Sequence, residues 1–206
     1  MIIESFATGP LETNTFIVAD KEGGEAIVID PGGEPTAILG RLKALKVRLT
    51  AIVNTHGHFD HVSGNGALME ATGAPLLIHR EDEPLLSRAS EAADMFFLRA
   101  DNSPPSDRFL EDGEEFKVGE IIFTVAATPG HSPGGITLVG GGKAFCGDLV
   151  FYGSVGRTDL PGGSQEVLQN SIREKIMTLP DDTILYPGHG PETTVGREKL
   201  QNPFFR

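Results

Sequence analysis

One cysteine in 206 residues excludes an intrachain disulfide framework, the device that lets small secreted domains make do with a thin core. No apolar run approaches the ~20 residues a membrane-spanning helix needs. The opening Met1-Ile2-Ile3-Glu4 has no basic region leading into a long apolar stretch, the pattern of a secretory signal. The expectation is a cytoplasmic protein. Basic side chains are also scarce, 17 against 29 acidic, for a formal charge of −12. Such a surface repels phosphate, so neither nucleic acid nor a membrane is an expected partner. Arg41, Lys43, Lys46 and Arg48 are the nearest approach to a basic patch, and their spacing reads as the solvated face of a helix. A Pro/Ser-rich linker, a block of like charge and a residue-level repeat are missing too. With nothing to divide it, the stretch 1–206 is expected to form one domain with a substantial core.

Against that background the segment Thr55-His56-Gly57-His58-Phe59-Asp60-His61 stands out, with three imidazoles and a carboxylate inside six residues. That density of borderline-soft ligands points to a metal site rather than a polar loop. His56 and His58, two apart, project to one side of an extended loop, while Asp60 and His61 fall where a helix begins. One short segment therefore serves two neighbouring ions. A two-metal hydrolytic site wants its ions roughly 3.5–4 Å apart with a shared oxygen ligand, so the rest of the chain must supply the missing groups. His131 in Thr128-Pro129-Gly130-His131-Ser132, Asp148 closing Phe145-Cys146-Gly147-Asp148, and His189 in Tyr186-Pro187-Gly188-His189-Gly190 are the candidates. Each follows a β-like run and is flanked by glycine or proline, as befits a side chain presented by a tight loop.

Alternation predicts strands at 2–6, 14–18 and 25–29, an antiparallel meander ending in Asp30-Pro31-Gly32-Gly33. A helix is expected over 35–46, a strand at 50–54, a helix near 62–72 and a strand at 75–78. The stretch 81–105 reads as helical and then irregular, and its Met95-Phe96-Phe97-Leu98 cluster suits either core or a lid. Strands follow at 115–118, 121–125 and 136–139, then a Gly140-Gly141-Gly142 hairpin turn into 144–146. That triplet is no phosphate-binding loop, which needs GxxxxGK followed by Ser or Thr. A helix at 164–178, a strand at 183–186 and a short final helix complete the chain. Strands then helices, twice over, suggest two mixed sheets packed face to face with helices outside.

The HxHxDH segment, His131, the Gly147-Asp148 pair and the Gly188-His189 pair, in that order, resemble the metallo-β-lactamase superfamily over nearly the whole chain. The resemblance implies an α/β fold, a four-layer αβ/βα sandwich of two mixed sheets with helices on the outer faces. It also implies that His56, His58 and His131 bind one metal, Asp60, His61 and His189 the other, and that Asp148 bridges them. Gly156-Arg157-Thr158-Asp159-Leu160-Pro161-Gly162-Gly163 and the Pro187–Pro191 loop look like those of compact bacterial glyoxalase II-like proteins. Those imply hydrolysis of S-lactoylglutathione to lactate and glutathione, with Arg157 matching a basic residue that holds the glycine carboxylate.

Two divalent cations sharing a water lower its pKa towards neutrality. The expected reaction is attack of that bridging hydroxide on a thioester carbonyl, with Asp60 binding one ion and orienting the nucleophile and Asp148 holding the pair together. Zinc is the expected metal, with iron and manganese compatible with mixed imidazole and carboxylate ligands. Arg157 has a second reading as a partner for Asp159. Tyr152 is a candidate to close over the substrate. His79 reads as a helix-start residue and Cys146 as a small buried apolar one.

Two other functional readings stand beside this one. A mononuclear non-haem iron persulfide dioxygenase shares the fold, the HxHxDH segment and the Gly-Arg-Thr-Asp loop, and is implied to hold iron on residues matching His56, His131 and Asp148. Against it, Val155 stands where that family has cysteine. A metal-binding module without turnover is the other.

Overall fold

The runs at 14–18 and 25–29 carry apolar side chains on both faces, which demands a neighbour on each side of the sheet. In the computed structural model, which describes residues 1–205, β1 (Ile2–Thr8), β2 (Thr13–Ala19) and β3 (Glu25–Ile29) form the expected antiparallel meander. β4 (Arg48–Val53), β5 (Leu76–Ile78) and β6 (Arg108–Phe109) continue it in parallel to give a six-stranded sheet. The second half of the chain supplies β7 (Glu115–Val118), β8 (Ile121–Ala127), β9 (Ile136–Gly140) and β10 (Lys143–Gly147). A small ribbon follows, β11 (Val150–Phe151) with β12 (Ser154–Val155), then β13 (Ile184–Pro187) and β14 (Thr193–Thr194). The second sheet runs β14-β13-β10-β9-β8-β7, with β10 and β13 parallel.

The period of two sorts each strand's side chains between layers. Phe16, Val18, Ile27 and Val53 point inward and pack with Phe123, Leu138 and Phe145 of the other sheet. Their neighbours Ile17, Val28 and Ile52 point outward, against Ile38, Leu68 and Leu86. Those belong to α1 (Pro35–Ala44), α3 (Asn65–Thr72) and α4 (Glu83–Leu86), the latter two flanked by the short α2 (Phe59–Val62) and α5 (Ala89–Asp94). On the far side Leu168 of α6 (Gln165–Ser171), Ile172 and Val195 of α7 (Val195–Gln201) cover Ala144 and Leu185. Helix, sheet, sheet, helix is the four-layer arrangement expected. Among the described residues no helix is long and apolar enough to cross a membrane.

Several local expectations change. The helix near 62–72 is two helices broken at Ser63-Gly64, because Gly64 N donates to Pro31 O at 2.7 Å and a β-carbon there would meet the same carbonyl oxygen. The helix at 164–178 turns π-helical over Ile172–Ile176. The basic quartet does not share a helix face: Arg48 opens β4, and Lys46 sits in a turn at φ 57°. Arg41 meets Glu4, Lys46 meets Glu22 and Arg48 meets Glu25, so local carboxylates take up three of the four charges.

Candidate metal centre

Four strand ends converge on one edge of the sandwich. The loop after β4 carries His56 and His58, α2 carries Asp60 and His61, and the loops after β8, β10 and β13 carry His131, Asp148 and His189. Glycine lets these loops come together: a β-carbon on Gly188 would strike Asp148 Oδ1, and one on Gly147, at φ 49°, would strike Thr55 Oγ1. His56, His58 and His131 each offer a ligand atom within 4.8 Å of the others, and so do Asp60, His61 and His189. Asp148 faces both groups. Its Oδ2 lies 3.5 Å from His131 Nε2 and 3.6 Å from His189 Nε2, and its Oδ1 lies 3.4 Å from His61 Nε2. His189 Nε2 is also 3.2 Å from Asp60 Oδ2.

The hydrogen bonds behind these side chains decide which nitrogen carries a proton. His131 Nδ1 lies 2.7 Å from Arg157 O, and a carbonyl only accepts, so Nδ1 is the N–H and Nε2 the lone pair. Thr55 Oγ1 donates to Asp30 Oδ2 at 2.6 Å and lies 3.1 Å from His56 Nδ1, which puts the His56 proton on Nδ1 as well. Asp30 Oδ2 is 3.0 Å from His61 Nδ1, off the line of a good hydrogen bond, yet its charge favours the proton there. The outcome is a set of polar ring and carboxylate atoms turned inward, with His131 Nε2 2.9 Å from His58 Nδ1. His56 Nε2, His61 Nε2 and Asp148 Oδ1 are buried without a hydrogen-bond partner, a costly state unless a cation completes it. The donor set fits divalent ions.

Protonation agrees. Burial holds His56 well below its ordinary range, with His61 and His58 adding to the effect, and burial then His131 brings His58 down to about 4. Both are neutral at pH 7, the state in which an imidazole can bind a metal. Burial opposes ionisation of Asp60 and Asp148, but the imidazoles of His61 and His189 outweigh it and lower both carboxyls. His61 goes the other way: against the cost of burial, Asp60, Asp148 and Asp30 raise it well above the usual imidazole range. In the metal-free chain a proton on His61 balances anions that a divalent cation balances better.

Two carboxylates behind the ligands escape sequence reasoning. Asp30, 1% exposed, also accepts from Thr55 N at 2.7 Å. Asp82, fully buried, accepts from Gly57 N at 2.8 Å and from Gly134 N at 2.6 Å, so it ties the His56/His58 loop to the one after His131. Only glycine fits opposite it, since β-carbons on Gly57 and Gly134 would press on the Asp82 backbone. For Asp30 the visible signal was an acidic residue at a strand end before Pro-Gly; for Asp82 there was none.

A family model for the metallo-beta-lactamase superfamily matches residues 8–189. The chain belongs to that superfamily. It is 38% identical over 208 residues to the hydroxyacylglutathione hydrolase GloC of Haemophilus influenzae, covering 99% of this chain and 98% of the relative. Among solved structures, the BLEG-1 B3 metallo-beta-lactamase matches with a TM-score of 0.92 at 34% identity over 99% of both chains. TTHA1623 in a di-iron-bound form matches with a TM-score of 0.88 at 40% identity, over 96% of this chain and 98% of that one. The superfamily relationship makes this a metallo-hydrolase fold of a kind that takes divalent metal.

Other sequence candidates fall around this centre. Arg157 lines a cavity of about 580 Å³ over the ligands, but its guanidinium is paired with Asp159 through Nε at 2.7 Å and Nη2 at 2.8 Å. Tyr152 points away: Arg197 stacks 3.4 Å over its ring, and Phe151 takes the place on the cavity wall. The 95–98 cluster divides, with Leu98 against the core and Met95 and Phe96 on the cavity wall. His79 caps a helical turn, accepting from Glu81 N at 3.3 Å. Cys146 is 2% exposed, with Sγ 3.5 Å from Val150 O, and burial pushes its thiol up to about 12. At pH 8 little of the thiolate that alkylating agents require is present. Iodoacetamide is therefore expected to leave the folded chain unlabelled and to label it fully in denaturant; rapid labelling of the folded chain would place the thiol within solvent reach.

Proposed function

We propose that this chain is a metal-dependent thioester hydrolase that cleaves glutathione thioesters, with S-lactoylglutathione as the reference substrate. The observation that carries this reading is a pair of three-ligand clusters with the Asp148 carboxylate between them, open to a cavity large enough for an organic substrate. The Haemophilus relative, a hydroxyacylglutathione hydrolase, supports the choice of substrate. His56, His58 and His131 would hold one ion, Asp60, His61 and His189 the other, with Asp148 shared. Zinc suits this mixed set, and the di-iron form of TTHA1623 makes iron the second metal to load.

When bound, a pair of divalent ions supplies a water-derived nucleophile at neutral pH and polarises a carbonyl oxygen. The chain's own groups do the rest. Asp148 keeps the two ligand clusters in register. Thr13 Oγ1 donates to Asp60 Oδ2 at 3.0 Å, which fixes the orientation of a carboxylate able to accept a hydrogen bond from the attacking water. Phe59 and Phe96, with ring centroids 5.7 Å apart, shield one side of the site from bulk water. Water oxygen bonds to the acyl carbon, the carbon–sulfur bond breaks, and the products are a carboxylate, a thiol and a proton. A thiolate needs no obligatory protonation to leave. The expected partner is a small molecule, with no role for nucleic acid or membrane, and the cytoplasm is the expected compartment.

The test is loss of thioester absorbance with S-D-lactoylglutathione, using protein of known metal content and a chelator-stripped control. Metal-dependent hydrolysis is the expected result, with KM raised in Arg157→Ala if that guanidinium leaves Asp159 for a substrate carboxylate. Loaded protein that turns over no thioester would overturn the reading. The likeness to a B3 metallo-beta-lactamase makes a β-lactam the second substrate for the same assay, and oxygen uptake with a persulfide under ferrous loading checks the dioxygenase alternative.

A further inference from the structure

The cavity above the candidate ligands is lined mainly by apolar side chains, interrupted by Arg88, Glu91, Ser154 and Arg157. Asp60, His131, Asp148 and His189 form its floor. Leu85, Ala89, Met95 and Phe96 from the α4–α5 region and Phe151 and Leu160 from the segment after β10 supply its apolar lining. Met95 is 65% exposed and Phe96 38%, so large apolar surfaces at the mouth stand in water until something covers them. The fixed cations that line the cavity, among the described residues, are Arg88 and Arg157. Both are engaged: Arg88 Nε pairs with Glu91 at 3.1 Å, and Arg157 holds Asp159 with two hydrogen bonds.

This lining decides which end of a thioester can enter. Glutathione carries two carboxylates and an ammonium group, and burying a carboxylate against Leu, Met and Phe with no free cation is strongly unfavourable. The carrier therefore belongs at the solvent-facing mouth, beside the exposed guanidiniums. Lactoyl, a three-carbon group with a hydroxyl, leaves most of the apolar lining uncovered. We propose that the cavity selects thioesters with an apolar acyl group, aliphatic or aromatic, longer than lactoyl. The inference rests on the thioester reading above and narrows its substrate class.

Two measurements test it. The first compares kcat/KM for S-acetyl-, S-lactoyl-, S-hexanoyl- and S-octanoylglutathione on one metal-loaded preparation. The value is expected to rise by about fourfold for each methylene the wall buries, with lactoyl near acetyl. The second needs neither metal nor turnover: calorimetric binding of the non-hydrolysable S-hexylglutathione and S-methylglutathione to metal-free protein, with the hexyl form expected to bind at least tenfold more tightly. Met95→Ser and Phe96→Ser are expected to lower the hexanoyl-to-acetyl ratio and the hexyl preference together. Phe97→Ser, which alters a 98% exposed ring outside the cavity lining, is expected to change neither. Equal rates along the series, or equal binding of hexyl and methyl forms, would overturn the proposal while leaving thioester hydrolysis intact. Absence of turnover on every thioester would instead remove the parent reading, and the hexyl preference would then show whether the cavity still favours apolar groups.

Discussion

Asp148→Asn is expected to leave about one tightly held divalent ion per chain in place of two and to lower kcat/KM by a hundredfold or more. Loss of even an outer partner of a metal ligand costs 10- to 100-fold in affinity or activity, and Asp148 stands nearer than that. Its two oxygens lie 3.4 to 3.6 Å from His61, His131 and His189, so a single carboxylate lies between both clusters. Asparagine keeps the shape but removes the charge, and it turns an N–H₂ toward nitrogens whose lone pairs already face inward. Asp60 does not substitute, since it already belongs to the His61/His189 cluster. Metal analysis after exhaustive dialysis, alongside turnover of whichever thioester proves active, checks the result. Two ions retained with unchanged turnover would mean that Asp148 does not bridge.

What the sequence made visible here follows how local each signal is. The His56–His61 segment declared itself because four ligand-type side chains crowd six residues, and the N-terminal strands because each is an apolar-rich run of five or more positions. His131, Asp148 and His189 were legible through the glycines beside them, whose necessity is now apparent in the close approach of Gly188 to Asp148. Asp82 was not legible: its bonds reach Gly57 and Gly134, 25 and 52 positions away, and no local pattern marks a carboxylate whose task is to accept from distant backbone. The break at Gly64 was hidden for the same reason, since only the fold brings Pro31 against it. Tyr152 was misplaced because it sits in the two-residue turn between β11 and β12, where no period tells which way a side chain faces, and Arg197, which stacks on it, lies 45 positions on.

Asp30 separates holding the fold from orienting a ligand, because two substitutions there should have different effects. It sits at φ 50°, a left-handed conformation that costs most side chains energy and that Asp and Asn tolerate best. Asp30→Ala strands Thr55 N and Thr55 Oγ1 in the interior without acceptors, at about 1–3 kcal/mol each, and adds backbone strain. A loss of about 3 kcal/mol in the metal-free chain is expected, with a fall in Tm to match. Asp30→Asn keeps one oxygen for Thr55 N and suits the backbone, so its stability should fall by only about 1 kcal/mol. Its amide nitrogen, however, can only donate toward Thr55 Oγ1 and His61 Nδ1. That favours the His61 proton on Nε2, the nitrogen 3.4 Å from Asp148, and removes a lone pair from the Asp60/His61/His189 cluster. Metal affinity, measured by competition with a chromophoric chelator, is accordingly expected to drop about 10- to 100-fold in Asp30→Asn despite a nearly native Tm. If that variant binds metal as tightly as the parent, Asp30 supports the loop through Thr55 alone and the orientation of His61 has another cause.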